Sequence, residues 1–289
     1  MEVSRNSTAR RLLWGLYIIG CKMSSTYHGA HGVENPGYVH LSNARTSFKG
    51  VEGALTVNDA LALQAFAEEL CLEKEESGAL RYAEVGSYLG LSTQIVAHAC
   101  PRALIFAHDL FPVNDGSSEY VLPRGEENEN DEEFSHPPPA AKDFLVEFWA
   151  GVHRNHLEGR VVPMRGPSSE TLPVHSLESL DMVFVDGDHS FKGALADLRG
   201  VWPLIKPGGI LVIHDAVTLD DGRTPHPVRL AVITFSAEQS IPFFDVEGTW
   251  GVAVMRRSAN QAVAGETSGS ASGMFGSSEI YPTQRHGVR

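Results

Sequence analysis

Acids and histidines recur at four places in this chain, each time beside a run of apolar residues. Glu84 stands two residues before Gly86, and Gly90 follows. Asp109 closes Ala103-Leu-Ile-Phe-Ala-His108. Asp186-Gly-Asp-His189-Ser190 follows Leu180–Val185, and His214-Asp215 follows Ile210–Ile213. Glycines at 86 and 90 leave room for a tight turn or for close approach of a ligand. A helix opening there offers free amide donors and a partial positive charge. A nucleotide-like ligand is therefore expected above Gly86, with Glu84, Gly86, Ser87, Gly90 and Ser92 as its candidate contacts. Asp109 can accept from both hydroxyls of a ribose. Asp186 and Asp215 are two carboxylates at strand ends, and a cation would relieve their repulsion. Oxygen ligands suit Mg²⁺, whereas including His214 shifts the preference toward transition metals. His189 has a side chain suited to proton transfer near neutral pH, with helix capping or ligand contact as the other reading; without a metal, His189 or His214 could act as the base. Asp188 is expected to cap the helix that begins near Ser190.

These residues need a scaffold that brings them together. Tyr82–Val85 reads as a buried strand, and Ser92 or Thr93 can cap the helix that runs from there to about His98. Further apolar runs at 103–109, 161–164, 180–185 and 210–213 alternate with helical patterns at 140–156, 190–202 and 225–239. Thr56-x-x-Asp59 has the form of a capping box and opens an earlier helix, with Leu63, Phe66, Ala67 and Leu70 on one face. Segments 243–247 and 249–255 read as a closing strand pair around Gly248. Strand–helix alternation of this kind predicts an α/β fold, a mostly parallel sheet with helices on both faces and one antiparallel strand. Ligands of such sheets bind beyond the carboxyl ends of the strands, where Glu84, Asp109, Asp186 and His214-Asp215 all fall.

The glycine spacing is wrong for a dinucleotide fingerprint, and no lysine is present to complete a P-loop. Glu84-x-Gly86-x-x-x-Gly90 instead resembles motif I of class I S-adenosylmethionine (SAM) methyltransferases. Asp181-Met-Val-Phe-Val-Asp186-Gly-Asp-His189-Ser and Lys206-Pro-Gly-Gly-Ile-Leu-Val-Ile-His214-Asp215 resemble small-molecule O-methyltransferases of the catechol O-methyltransferase kind. They are closer still to a group carrying Asp-Gly-Asp-His-Ser. The resemblance covers roughly residues 50–257. It implies a Rossmann-like sheet of seven strands, SAM as cofactor, and methylation of a hydroxylated small molecule. It also implies a divalent cation on Asp186 and Asp215, with His189 where relatives carry a catalytic lysine. Two departures stand out. Ala216 replaces an Asn ligand, and Pro167 replaces an acid near the adenine, leaving Ser168 and Ser169 as candidates for the adenine edge. A noncatalytic SAM-fold binding protein and a different Rossmann-type enzyme are the alternatives.

Composition sets the outer bounds. The chain has 289 residues, and its 42% hydrophobic and 20% charged content is that of a globular protein. A net charge of −13 disfavours nucleic acid and anionic membrane as partners, because no basic patch is evident to neutralise phosphates. Cys21, Cys71 and Cys100 are scattered, which predicts a reducing, cytoplasmic setting without a disulfide framework. Residues 1–22 combine arginines with an apolar run too short to span a membrane; they can be an organelle-targeting segment, or Met23 the true start. The expected organisation is an N-terminal extension over 1–49, irregular over 24–50, and a methyltransferase domain over 50–257. The domain carries an acidic insertion at 112–139, and a Gly/Ser-rich tail occupies 258–289. The insertion can be a solvated loop or a lid. The acceptor and the oligomeric state, a homodimer included, stay open.

Overall fold

A computed structural model describes residues 38–42, 45–74, 78–113, 143–219 and 222–258. The candidate targeting segment at 1–22, most of the acidic insertion and the tail beyond Ser258 lie outside the described residues.

Three short strands come first: β1 (Tyr38–Ser42), β2 (Arg45–Phe48) and β3 (Val51–Gly53), paired as an antiparallel meander. Of the irregular arm expected over 24–50, residues 38–42 and 45–48 instead form strands. Alternation was hidden by its polar residues, but Phe48 and Val51 join the main core, and Tyr38 stacks on Phe48 at 4.7 Å.

Helix α1 (Val57–Glu73) begins at Thr56 with the expected capping box: the Thr56 hydroxyl accepts from the Asp59 amide, and Asp59 accepts from the Thr56 amide. Then follow β4 (Arg81–Val85), α2 (Leu91–Ala99), β5 (Leu104–Asp109), α3 (Phe144–Arg154), β6 (Val161–Arg165), the one-turn α4 (Ser168–Thr171), β7 (Leu180–Val185), α5 (Phe191–Val201), β8 (Ile205–Ile213), α6 (Pro227–Gln239), β9 (Phe244–Asp245) and β10 (Ala253–Arg256). The larger sheet has seven strands in the order β6-β5-β4-β7-β8-β10-β9. Strands β4 to β8 are mutually parallel, and β10 runs antiparallel between β8 and β9. Helices cover both faces, one core gathering α1–α3 and the other α5 and α6.

Two caps differ from expectation. Helix α2 is capped by Gly90 at φ 90°, without a side-chain bond, so Ser92 and Thr93 lie inside its first turn. Ser190, not Asp188, caps α5 by accepting from the Gly193 amide, while Asp188 accepts from the Ser190 amide. The cysteine expectation is also corrected. Cys71, in the last turn of α1, is disulfide-bonded to Cys100, just past α2, with Cα atoms 5.6 Å apart. The two helices pack side by side, a proximity that a separation of 29 residues does not reveal. Scattered cysteines thus give no basis for a reducing compartment. No helix among the described residues is long and apolar enough to cross a membrane.

Candidate active site

Strand order reverses at β4, so a crevice opens beyond the carboxyl ends of β4 and β7. Sheet bonding continues one residue past each strand there. The amides of Gly86, Asp186 and His214 donate to His108, Val85 and Val185. These bonds seat each polar residue at a fixed height on the sheet edge.

Gly86 is required by packing. A Cβ at this position would stand 2.0 Å from the carbonyl oxygen of Asp186, and its φ is 87°. At Gly90 a Cβ would meet the Phe148 ring at 2.9 Å. Both glycines therefore shape the floor of the crevice from within. Glu84 is wholly buried; Tyr82 donates its hydroxyl to it at 2.8 Å, and so does Thr93. Burial pushes the Glu84 carboxyl up, against the lowering effect of these donors. Ser87 and Ser92 are buried beside it.

Asp109 accepts the amides of Tyr88 at 2.9 Å and Phe111 at 2.6 Å. Both donors hold positive φ, 49° and 41°, which ordinary side chains disfavour. Burial raises the Asp109 carboxyl above its usual range, and the amide bonds offset part of that rise. Each oxygen still has a lone pair to offer a diol. His108, next door, faces the other side of the sheet. It bonds Thr171 and His175 through its two nitrogens, both at 2.9 Å, and burial holds it near 3, so it stays neutral. Ser168 donates to Asp197 at 2.5 Å, which turns its hydroxyl toward α5.

The densest polar cluster lies where β7 and β8 end. His189 Nε2 is 3.1 Å from Asp215 and 3.7 Å from Asp186. His214 Nδ1 is 3.2 Å from Asp186 and 3.3 Å from Asp215, and its Nε2 is 3.3 Å from Asp59. None of these carboxylates is aligned with a His214 N–H, so the contacts are ion pairs more than directed hydrogen bonds. Burial would pull both imidazoles down, but Asp215 and Asp186 raise them, His189 to about 9. His189 is 42% exposed, so water screens part of that attraction. Burial raises Asp215, while His214 and His189 more than reverse it and hold the carboxyl below its usual range. Asp215 sits at φ 56°, one of the few non-glycine residues in that region, and strain of this kind gathers at working sites.

Asp186, His189 and Asp215 each present a ligand atom, all within 4.8 Å of one another, so this set fits a divalent cation. His214, a possible third ligand or alternative base, lies beneath, between the carboxylates and Asp59. Ala216 is buried; its amide donates to Gly251 and its carbonyl accepts from Arg229. For SAM the donor set also fits: α2 begins without a side-chain cap, leaving amides for a carboxylate, and Asp109 can take a diol.

Sequence reasoning missed Asp59, His226 and Trp250. Asp59 accepts the Trp250 amide at 2.7 Å, and His226, the N-cap of α6, stands 6.3 Å ring to ring from His189. The capping box did mark Asp59, but nothing local marks its approach to His214.

A family described as a methyltransferase domain matches residues 83–216, from β4 to just past Asp215. Over that stretch the chain is similar to methyltransferase domains. Among solved structures, the O-methyltransferase NovP aligns at 13% identity over 87% of this chain and all of NovP (100%), with a TM-score of 0.51. An O-methyltransferase from Bacillus cereus in complex with SAH aligns at 13% identity over 84% of this chain and 90% of that chain, TM-score 0.46. The O-methyltransferase TomG from Streptomyces achromogenes, in complex with SAM, aligns at 16% identity over 66% and 79%, TM-score 0.44. No curated protein matches this sequence.

Proposed function

We propose that this protein moves the methyl group of SAM to a hydroxyl of a small molecule, with Asp186, His189 and Asp215 holding a divalent cation. The observation that carries the reading is the convergence of those three side chains within 4.8 Å at the crevice. The uncapped start of α2 and the Asp109 carboxylate are the groups that bind and orient SAM. The fold shared with NovP, itself described as an O-methyltransferase, supports the oxygen acceptor. A cation bound here would lower the acceptor hydroxyl's pKa and fix its oxygen. In the transfer, the acceptor oxygen forms its bond to the methyl carbon as the carbon–sulfur bond breaks. The sulfonium leaves as a neutral thioether, and the hydroxyl proton departs to water or to a side chain. Alignment by the crevice walls contributes to the rate; in ideal cases it is worth about 7–11 kcal/mol.

One observation favours a second version of the same reaction. His189 already lies within ion-pairing distance of both carboxylates, so the cluster can balance its charge with imidazolium alone. In that version His189, once deprotonated, takes the hydroxyl proton as general base. A single assay separates the two. Turnover of labelled SAM against a panel of phenols, sugars and hydroxylated metabolites is measured with chelator, then with Mg²⁺ or Mn²⁺ restored. Loss and recovery, with severe impairment of Asp215→Asn, supports the cation. Full activity in chelator, lost only when a histidine is replaced, eliminates the cation and leaves general-base catalysis.

A further inference from the structure

Asp59 belongs to α1, far in sequence from the strand ends that carry the rest of the polar cluster. It is 2% exposed, and both oxygens are engaged. Oδ1 accepts the Trp250 amide at 2.7 Å. Oδ2 accepts the Thr56 amide at 2.9 Å and the Thr56 hydroxyl at 2.6 Å, and it also lies 3.3 Å from His214 Nε2. The other ring nitrogen of His214 faces Asp186 and Asp215 at 3.2 and 3.3 Å. One imidazole thus stands between acids on both sides, paired by charge, with Asp59 on the side away from the crevice.

Helix capping does not account for this residue. A capping box works with neutral glutamine at the same position, so the cap has no need of a charge. Burying a carboxylate is costly unless it meets an opposite charge or several donors. Nor is Asp59 needed merely to tie α1 to the turn between β9 and β10. Asn58 makes that tie already, donating to the Gly248 carbonyl at 2.7 Å. What remains specific to the Asp59 charge is its approach to His214.

We propose that Asp59 is a positioning residue: by holding the outer nitrogen of His214 it keeps the inner nitrogen between Asp186 and Asp215 and so sets the spacing of those carboxylates. The proposal rests on assigning the two acids to the methyl-transfer site, and it does not depend on which cation, if any, they hold. An outer group that fixes the orientation of an imidazole and thereby of the residues it touches is a common device around reactive sites. Here it reaches the crevice from a helix that contributes no other residue to the cluster.

The test uses the full chain labelled with ¹⁵N-histidine, in wild type, Asp59→Asn and Asn58→Ala. Nuclear magnetic resonance reads the His214 ring nitrogens, and Mn²⁺ titration followed by electron paramagnetic resonance reads the acid pair. Asp59→Asn is expected to shift both His214 ring resonances and to weaken Mn²⁺ binding by at least about tenfold, the scale seen when outer partners of a ligand are removed. SAM binding by calorimetry should persist in that variant, and Asn58→Ala should change none of these readouts. Unchanged His214 resonances in Asp59→Asn would overturn the proposal. So would Asn58→Ala reproducing the Asp59→Asn effect, because the role would then be the tether alone. Should Asp59→Asn not fold, Asp59→Glu moves the same charge by one methylene and is expected to shift the ring resonances as well; no shift overturns the idea. If the wild-type chain binds no Mn²⁺, the cation reading falls, and the ring resonances alone decide the role of Asp59.

Discussion

Replacing Asp109 puts a number on how far one carboxylate organises the SAM edge. Its two oxygens take the amides of Tyr88 and Phe111, both at positive φ, so the carboxylate stabilises two turns that their own backbones disfavour. Asp109→Asn retains one acceptor oxygen and sets an NH₂ against the other amide. The lost bond is charge-assisted, a class worth about 1.5–3 kcal/mol net. Burial already raises this carboxyl, so removing the charge recovers part of its desolvation cost. The expected loss therefore sits at the lower end, about 1.5 kcal/mol, or roughly 3–6 °C in melting temperature for a domain of this size. Asp109→Ala leaves both buried amides without the carboxylate, and at about 1–3 kcal/mol each the loss should be about twice as large. SAM affinity, read by calorimetry, should fall by about tenfold or more in both variants, equivalent to about 1.4 kcal/mol. A SAM affinity within about threefold of wild type in Asp109→Ala would remove Asp109 from the ribose. Equal melting temperatures for wild type, Asn and Ala would refute the claim that it anchors the two turns.

Three further outcomes are expected, two from charge and one from chain entropy. His189 and His214 have folded values above the ordinary imidazole value near 6.5, so their contribution to stability is complete below about pH 6.5 and fades as pH rises through about 9 for His189. Melting curves in chelator should show that alkaline decline, and a flat melting temperature from about pH 6.5 to 9 would contradict it. On the acid side, Asp59 and Asp215 are depressed, so their contribution stands above the usual carboxylate range and is lost as pH falls below it. The Cys71–Cys100 bond closes a loop of 29 residues, for which chain-entropy reasoning gives about 3–4 kcal/mol. Reductant or Cys71→Ser should lower the urea midpoint accordingly; an unchanged midpoint would mean the closed loop adds no stability.

Much of the frame was legible because it is written in short-range patterns. Buried parallel strands read as continuous apolar runs, so Asp109, Asp186 and Asp215 could be placed at strand ends with no knowledge of tertiary contacts. Thr56 and Asp59 announced a helix start three residues apart. What stayed hidden was long-range. The Cys71–Cys100 pairing depends on two helices packing side by side. The strands at 38–53 are short and polar, with too little alternation to declare themselves. Gly86 was legible as a turn, but only the structure shows that the backbone of Asp186, and not a ligand, occupies the space where its side chain would be. His189 and His214 were both recognised as reactive. Which of them faces the crevice, and which is buried between acids, is decided by the approach of Asp59 on α1 to the end of β8, and no local pattern encodes that.

The segment between β5 and α3 leaves and re-enters the fold at one point. Val113 and Asp143 form an antiparallel bridge, the Phe144 amide donates to the Pro112 carbonyl, and Asp143 caps α3 by accepting from the Leu145 amide. The exit and return of the chain are thus stapled together by the scaffold's own bonds. Closing a neck of this kind depends little on the length of chain between its two ends: each doubling of that length adds only about 0.6 kcal/mol of closure entropy. Val113 and Asp143 are accordingly graft points: sequence joined to them leaves the strands that carry Asp109 and Asp186 in register, because the neck and the sheet hold those strands independently.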